Sequence, residues 1–261
     1  MLTFGLTAVP SLESVDKNLE TLKTYASQAK AAGCTALCFP ECFLTGYAPR
    51  EVEQRAISKT SKPVETIRFL AQTLDMDLLV GFMERKESKF YISHGIFLSD
   101  GSAHYYQKSH LGEREQQVFT PGNSLDVFRL NCGASIGIEL CVETHFNDIT
   151  QSLSLKGARL IFAPFAVPRA AGSREQIWNK YIPARSYDNQ VYFACCNQWD
   201  EERFGGGILI TAPNGELLGS DYQDTPTLFT FSVPKKSVFP LENDAERKHY
   251  FPNRRRPELY E

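Results

Sequence analysis

The stretch LTFGLTAVPSLESVDKNLETLKTYASQAKAAGCTALCFPE, residues 2–41, decides the fold class. Leu2 to Val9 is a short apolar run closed by Pro10, and it reads as a strand. From Ser14 to Ala32 the apolar residues Val15, Leu19, Leu22, Tyr25, Ala26 and Ala29 recur at steps of three, four and seven, one face of an amphipathic helix. Gly33 ends it. Thr35 to Phe39 is a second buried strand, closed by Pro40. Strand, helix and strand within about 40 residues are the opening of an α/β architecture.

Working outward, Val64 to Leu74 reads as a helix and Asp77 to Met83 as a strand. Tyr91–Leu98 and Ala103–Gln107 flank Ser99-Asp100-Gly101-Ser102, where Asp-Gly predicts a tight hairpin turn. Ala134 to Leu140 is a strand. His145 to Lys156 is a helix with Phe146, Ile149, Leu153 and Leu155 facing inward. Leu160 to Ala163 is a strand stopped by Pro164, and Gln176 to Asn189 a helix kinked or split by Pro183. Val191–Cys196, Gly207–Ala212 and Thr227–Phe231 are further strands, with Pro213-Asn214-Gly215 as a hairpin turn. About a dozen strands with interspersed hairpins predict two stacked mixed sheets with helices on the outer faces, rather than a parallel barrel. The pattern predicts one domain over 1–261, with a charged tail from about 242 to 261.

With 28 basic and 31 acidic residues the net charge is −3, which gives no footprint for nucleic acid or a membrane surface. No apolar run reaches the roughly 20 residues of a membrane span. MLTFGLTAVP carries no basic n-region, so no export signal is predicted. Seven cysteines, an odd number, lie mostly in strand-like runs, which predicts reduced thiols and a cytoplasmic protein. Cys34, Cys38 and Cys42 are spaced by four but are interrupted by Pro40. They read as small core residues rather than a zinc site. Nothing calls for a metal or an organic cofactor.

Three polar residues stand directly after buried strands: Glu41 after TALCFP, Lys108 after AHYYQ, and Cys141 after ASIGIEL. Sites gather at strand ends in α/β proteins. Each residue alone has a plain reading, as a cap, a surface charge or a small core side chain. Together they suit one chemistry. A carboxylate takes the thiol proton as sulfur attacks a carbonyl, and an ammonium helps hold the oxyanion. The Val142 N–H, at the start of the following helical turn, is a second oxyanion donor. His145 and His110 are candidates for a cysteine–histidine pair but read better as solvent-facing. Glu139 shares a strand face with Cys141, as a partner or as part of an edge ion pair. Arg169 could hold a substrate carboxylate or make a surface ion pair. Gly205-Gly206-Gly207 has no GK[ST] after it and reads as a turn.

FPECFLTGY, QKSHL followed by EREQQVFTPG, and IGIELCVETHF, in that order, resemble the motifs of the nitrilase superfamily of carbon–nitrogen hydrolases, and RRRPELY is similar to its C-terminal segment. The resemblance implies a four-layer αββα sandwich and a homodimer, with Arg254 to Arg256 anchoring the tail on the partner subunit. It implies Glu41 as general base, Lys108 as transition-state stabiliser and Cys141 as nucleophile. A second glutamate ahead of the FTPG segment would be Glu115, with Glu113 the competing register. Tyr47, Phe165, Ala166 and Trp178 are candidate pocket residues. Where many members have Tyr or Trp and then Asp after the nucleophile, this chain has Val142 and Glu143. The implied activity is hydrolysis of a small linear amide or N-carbamoyl compound through a thioester, releasing ammonia. The alternatives are a nitrilase, a cysteine-dependent acyl transferase or peptidase, and an idle scaffold; the intact triad speaks against the last.

Overall fold

The computed structural model describes residues 1–240 and 251–259. It contains two six-stranded mixed sheets. In the first, β1 (Leu2–Ala8), β2 (Ala36–Cys38) and β3 (Asp77–Lys86) run parallel. They are flanked by antiparallel β12 (Thr227–Val233) on one side and by β4 (Lys89–Phe97) and β5 (Ala103–Gln107) on the other. The second repeats the plan. Parallel β7 (Ser135–Ile138), β8 (Leu160–Phe165) and β9 (Tyr192–Asn197) lie between β6 (Phe128–Arg129) and the antiparallel pair β10 (Ile208–Thr211) and β11 (Leu217–Asp221).

Parallel strands covered on both faces are apolar at successive positions, and each face has its own partner. Phe4, Leu6, Ala36 and Cys38 of the first sheet meet Ile136, Ile138, Phe162 and Ala194 of the second in the central core. There the Phe4 and Phe162 rings cross edge to face at 6.0 Å. The intervening positions face outward, as the period of two requires. Leu37, Leu78 and Val80 pack against Leu22 and Ala26 of α1 (Val15–Ala31), and against Ile67 and Ala71 of α3 (Lys62–Leu74). Ile161, Ala163 and Phe193 pack against Ile149 and Leu153 of α4 (Asn147–Leu155), and against Trp178 and Ile182 of α5 (Arg174–Asn189). A short α2 (Val52–Arg55) precedes α3. The layers are helix, sheet, sheet, helix, the expected sandwich.

Several local expectations differ. β8 continues through Pro164, which pairs with Cys196. The ladder with β7 ends at Phe162, so β8 is an edge strand there and the missing N–H breaks no bond. α5 runs unbroken across Pro183. α4 begins only at Asn147, because Cys141–His145 forms a separate 3-10 turn. Ile149 and Leu153 are buried as expected, but Phe146 and Leu155 are exposed. At the β4–β5 hairpin only Gly101, not Asp100, has a positive φ. Within the tail, Phe251 packs on Tyr187 of α5 with ring centroids 6.1 Å apart; residues 242–250, 260 and 261 lie outside the described residues.

No described helix is long and apolar enough to cross a membrane. All seven cysteines are free thiols.

Candidate active site

Two glycines set the backbone on which the site is built. Gly81 of β3 lies under the Glu41 loop. A Cβ there would sit 2.5 Å from the Cys42 nitrogen and 2.9 Å from the Pro40 oxygen. With that space left empty, Phe39 and Leu44 donate to the carbonyls of Leu79 and Gly81 (2.8 and 2.9 Å), and residues 40–43 curl over the strand. Gly122, the glycine of the FTPG segment, stands behind β5, where a Cβ would come within 2.2 Å of the Gln107 oxygen; its own N–H donates to the Lys108 carbonyl at 2.8 Å.

These supports bring Glu41 and Lys108 together in the interior. Lys108 Nζ donates to Glu41 Oε1 at 2.8 Å and to Glu115 Oε1 at 2.9 Å, and all three side chains are buried. Glu41 is held from three directions. Its Oε2 accepts the Ala166 N–H at 3.1 Å, and its carbonyl accepts Gln198 Nε2 at 2.7 Å. Ala166 follows β8 of the other sheet, so this carboxylate joins the two sheets. Glu115 Oε1 also accepts the Tyr47 hydroxyl at 2.9 Å, and its Oε2 accepts the Gly112 N–H at 2.7 Å. Glu113 is exposed, so the structure puts Glu115 rather than Glu113 on Lys108.

Cys141 begins the 3-10 turn after β7, with φ at 51°, a left-handed conformation that costs energy for a residue with a Cβ and recurs at functional sites. Its carbonyl accepts the Thr144 hydroxyl at 2.7 Å, and that hydroxyl meets Tyr181 at 2.9 Å. Cys141 is partly exposed and close enough to Glu41, Lys108 and Glu115 to feel their charges. Burial pushes its thiol up to about 12, the two carboxylates push the same way, and Lys108 and Arg174 oppose them. Burial likewise lifts Glu41 to about 7, with Lys108 pulling down and Glu115 pushing up. For Lys108, burial disfavours the ammonium, but Glu41, Cys141 and Glu115 outweigh it and hold the group charged. The resting site therefore has a neutral thiol, a charged lysine and a carboxylate poised near neutral pH, the range in which a base transfers protons both ways.

Glu143 is the residue whose role the sequence did not reveal. Its Oε1 accepts from Tyr106 OH at 2.6 Å and from the backbone N–H groups of Ser109 and His110 at 2.8 and 3.1 Å, and its Oε2 accepts the Leu140 N–H at 2.8 Å. It ties the segment carrying Lys108 to the turn carrying Cys141. The one signal available was its position two after Cys141.

The remaining candidates fall into place as follows. Phe165 and Trp178 pack with ring centroids 4.8 Å apart and planes tilted by 51° in the outer core, both buried, and Cys141 packs on the edge of that cluster. Val142 is the second residue of the Cys141–His145 turn. His145 is exposed and stacks on Tyr181 at 4.5 Å, while His110 faces Phe146 at 5.1 Å and bonds Ser109. Neither histidine hydrogen-bonds to Cys141. Glu139 is buried; burial raises its pKa, it accepts from Thr150 at 3.2 Å, and among the described residues it makes no ion pair. Arg169 is engaged by Asp224, at 2.7 Å from Nη1 and 2.6 Å from Nη2. Gly206 and Gly207 have positive φ, as a glycine turn requires. Among the described residues, no three His, Cys, Asp or Glu side chains gather to hold a metal ion.

Two helix-covered sheets with a thiol, a lysine and two carboxylates gathered at one edge are the arrangement that the comparisons meet. The chain belongs to the carbon–nitrogen hydrolase family, whose model matches residues 6–238, and it is an amidase-type hydrolase of that family. Among curated proteins it is 26% identical to an omega-amidase NIT2 of Xenopus tropicalis, over 100% of this chain and 98% of the relative. It is 29% identical to a nitrilase of Pyrococcus abyssi, over 80% of each. Among solved structures, the NitN amidase of Neterenkonia sp. AN1 superposes with a TM-score of 0.85 at 22% identity, covering 100% of this chain and 98% of that one. A mutant of the amidase from Nesterenkonia sp. AN1 in complex with butyramide superposes with a TM-score of 0.84 at 22% identity, covering 99% and 95%.

Proposed function

We propose that this protein hydrolyses the amide of a small linear amide or N-carbamoyl compound, releasing ammonia through a thioester on Cys141. The observation that carries the reading is the buried Lys108 ammonium held between Glu41 and Glu115, beside a thiol that feels all three charges.

In this mechanism Glu41 takes the thiol proton as Cys141 Sγ attacks the carbonyl carbon. Because the thiol is the weaker acid, proton transfer and attack proceed together. The carbonyl π electrons move onto oxygen, and the Lys108 ammonium and the Val142 N–H stabilise the oxyanion. As the tetrahedral intermediate collapses, Glu41 returns the proton to nitrogen, the C–N bond breaks and ammonia leaves. Glu41 then deprotonates a water that attacks the thioester. The C–S bond breaks, the acid departs and sulfur regains a proton. Glu115 and Tyr47 hold Lys108 in place throughout. Ala166 contributes its backbone N–H to orient the base, and Phe165 with Trp178 backs the nucleophile from the outer core.

A nitrile could enter the same cycle through a thioimidate, a reading favoured by the relative named a nitrilase. A cysteine-dependent acyl transferase would pass the same thioester to an amine instead of water. The free thiols support a cytoplasmic, reducing setting. The exposed apolar side chains of Phe146, Leu155, Tyr187 and Phe251, on and beside α4 and α5, support a homodimer through that face.

The test is ammonia release from a panel of small amides, N-carbamoyl compounds and nitriles, with Cys141→Ala and Lys108→Ala beside the wild type. Turnover by the wild type and loss in both variants is expected. Full activity in Lys108→Ala with none in Cys141→Ala would refute the mechanism.

A further inference from the structure

A cleft of about 640 Å³ lies between three loops, a size within the roughly 300–1,000 Å³ of small-molecule sites. Each loop contributes one arginine: Arg50 from the segment after the Glu41 loop, Arg114 from the segment that carries Glu115, and Arg203 from the connection between β9 and β10. All three are exposed, and none of Glu41, Lys108 and Cys141 lines the cleft. The acid on its wall, Glu51, is turned to Arg55, with Oε2 at 2.7 Å from both Nε and Nη2. Among the described residues none of the three cleft arginines makes an ion pair. A chain of net charge −3 thus presents three guanidiniums on one concave surface, where field lines concentrate.

Arg203 ties the cleft to the buried cluster. Its Nη1 donates to the Tyr47 carbonyl at 3.2 Å, and its guanidinium lies over the rings of Phe204 and Tyr47, 4.8 and 6.0 Å from their centroids. Its own carbonyl accepts the Arg169 N–H at 2.8 Å. Asp200 Oδ1 pins the same connection by accepting the N–H groups of Glu202 and Phe204 at 3.0 and 2.9 Å. Tyr47 leads inward from there. Its hydroxyl donates to Glu115 Oε1 at 2.9 Å, the oxygen that also accepts Lys108 Nζ at 2.9 Å. Arg203, Tyr47, Glu115 and Lys108 form one unbroken line of contacts from the cleft to the buried ammonium.

We propose that the cleft is an inhibitory binding site for a small dianion, held by Arg50, Arg114 and Arg203. A guanidinium offers a fork of N–H donors that fits a carboxylate or a phosphate, and three forks suit an acceptor with more than one charged edge. Phosphate esters and short dicarboxylates both carry that chemistry. To grip the anion, Arg203 turns its donors away from the Tyr47 carbonyl. Tyr47 then loses a restraint, its bond to Glu115 weakens, and Lys108 is held less firmly beside Cys141. The binding stands without the amidase reading; its effect on turnover rests on that reading, because it acts through the cation proposed to stabilise the oxyanion.

The test reads binding and thiol reactivity, without turnover. Inorganic phosphate, succinate and acetate are titrated calorimetrically into the wild type near neutral pH and at low salt. At least one dianion should bind at least about tenfold tighter than acetate, as several charge-assisted contacts require, and whichever of the two binds tighter distinguishes the phosphate from the dicarboxylate source. Arg50→Gln combined with Arg114→Gln changes two exposed side chains, which costs little stability. This double variant should weaken the binding at least about tenfold. Binding of neither dianion, or binding undiminished in the double variant, overturns the proposal. At saturation the anion should slow alkylation of Cys141 by iodoacetamide about two- to tenfold, the scale of one lost hydrogen bond, and the slowing should vanish in Tyr47→Phe. An unchanged or faster rate, or the same slowing in Tyr47→Phe, overturns the inhibition. A protein that binds the anion and slows as expected, yet releases no ammonia from any amide, refutes the proposed reaction and leaves the site standing.

Discussion

Glu143 Oε1 accepts two hydrogen bonds from Ser109, one from its backbone N–H at 2.8 Å and one from its hydroxyl at 2.6 Å. Ser109 is the residue after Lys108, and Glu143 lies two after Cys141. The proposed nucleophile and the proposed oxyanion-stabilising cation are therefore registered to each other by a carboxylate that takes part in no bond change. Glu143→Ala leaves the donors of Tyr106, Ser109, His110 and Leu140 without their acceptor. The expected loss is about 2–4 kcal/mol in urea unfolding, the scale for deleting a buried charged acceptor. Glu143→Asp should restore part of the stability while kcat stays low, because the shorter side chain cannot span both segments. Wild-type kcat in the aspartate variant would refute the registering role.

As the proposed base, Glu41 should set the pH dependence. Burial lifts its carboxyl to about 7, and it accepts a proton only when ionised. kcat/KM is expected to fall as pH drops through about 7, and the same limb should appear in the rate of Cys141 alkylation by iodoacetamide. The sign for stability is opposite. The folded-state pKa lies above the unfolded value of about 4.3. The contribution of this group is thus full below that value and is lost as pH rises through about 7. Glu41→Gln should flatten both dependences; a limb that persists in Glu41→Gln assigns it to another group. Lys108→Met, which removes the cation that pulls Glu41 down, should move the alkylation limb to higher pH.

Glu115 and Tyr47 act on the lysine. Glu115→Gln exchanges one of the two carboxylates on Nζ for a neutral amide and should lower kcat by about a hundredfold, with KM changing much less. Tyr47→Phe removes one hydrogen bond to Glu115 and should cost less than about tenfold. A larger loss in Tyr47→Phe than in Glu115→Gln would mean that Tyr47 contacts the substrate directly.

Gly81→Ala tests the support beneath the proposed base. The new methyl would meet the backbone of Pro40 and Cys42, which cannot move as a flexible side chain can. A stability loss of about 1–3 kcal/mol is expected from the overpacking, with a fall in kcat as Glu41 shifts. Unchanged stability and rate would show that the loop tolerates displacement.

His110→Ala and His145→Ala should retain most of the activity, measured as ammonia release, because neither ring bonds Cys141. Loss of turnover in either, without loss of fold, would bring the cysteine–histidine alternative forward.

The layers were legible because the strand period of two and the helix period of 3.6 recur in nearly every segment of the chain. Leu37 between Ala36 and Cys38 already says that one neighbour lies on each side of the strand. Glu41, Lys108 and Cys141 were legible as polar residues abutting buried strands. Pro164 misled because its effect depends on whether the adjacent strand extends that far, and β7 stops short of it. Phe146 misled because it precedes the helix, which begins only at Asn147, and Leu155 because, at about 100° per residue, it lies off the face of Ile149 and Leu153. Glu143 stayed hidden because its partners, Tyr106, Ser109 and His110, lie more than thirty positions away. A carboxylate meant for backbone donors has the same letter as one meant for water.

The bond from the Ala166 N–H to Glu41 crosses from one sheet to the other, and so do those linking Glu143 to Tyr106 and Ser109. The proposed reactivity is therefore stitched across a seam. A chain emerging from the ribosome, or one whose halves have come apart, carries seven thiols with no assembled base and cation beside any of them. Only closure of the seam sets the Cys141 sulfur beside Glu41 and Lys108, so the attack proposed for it is withheld until the whole sandwich has formed.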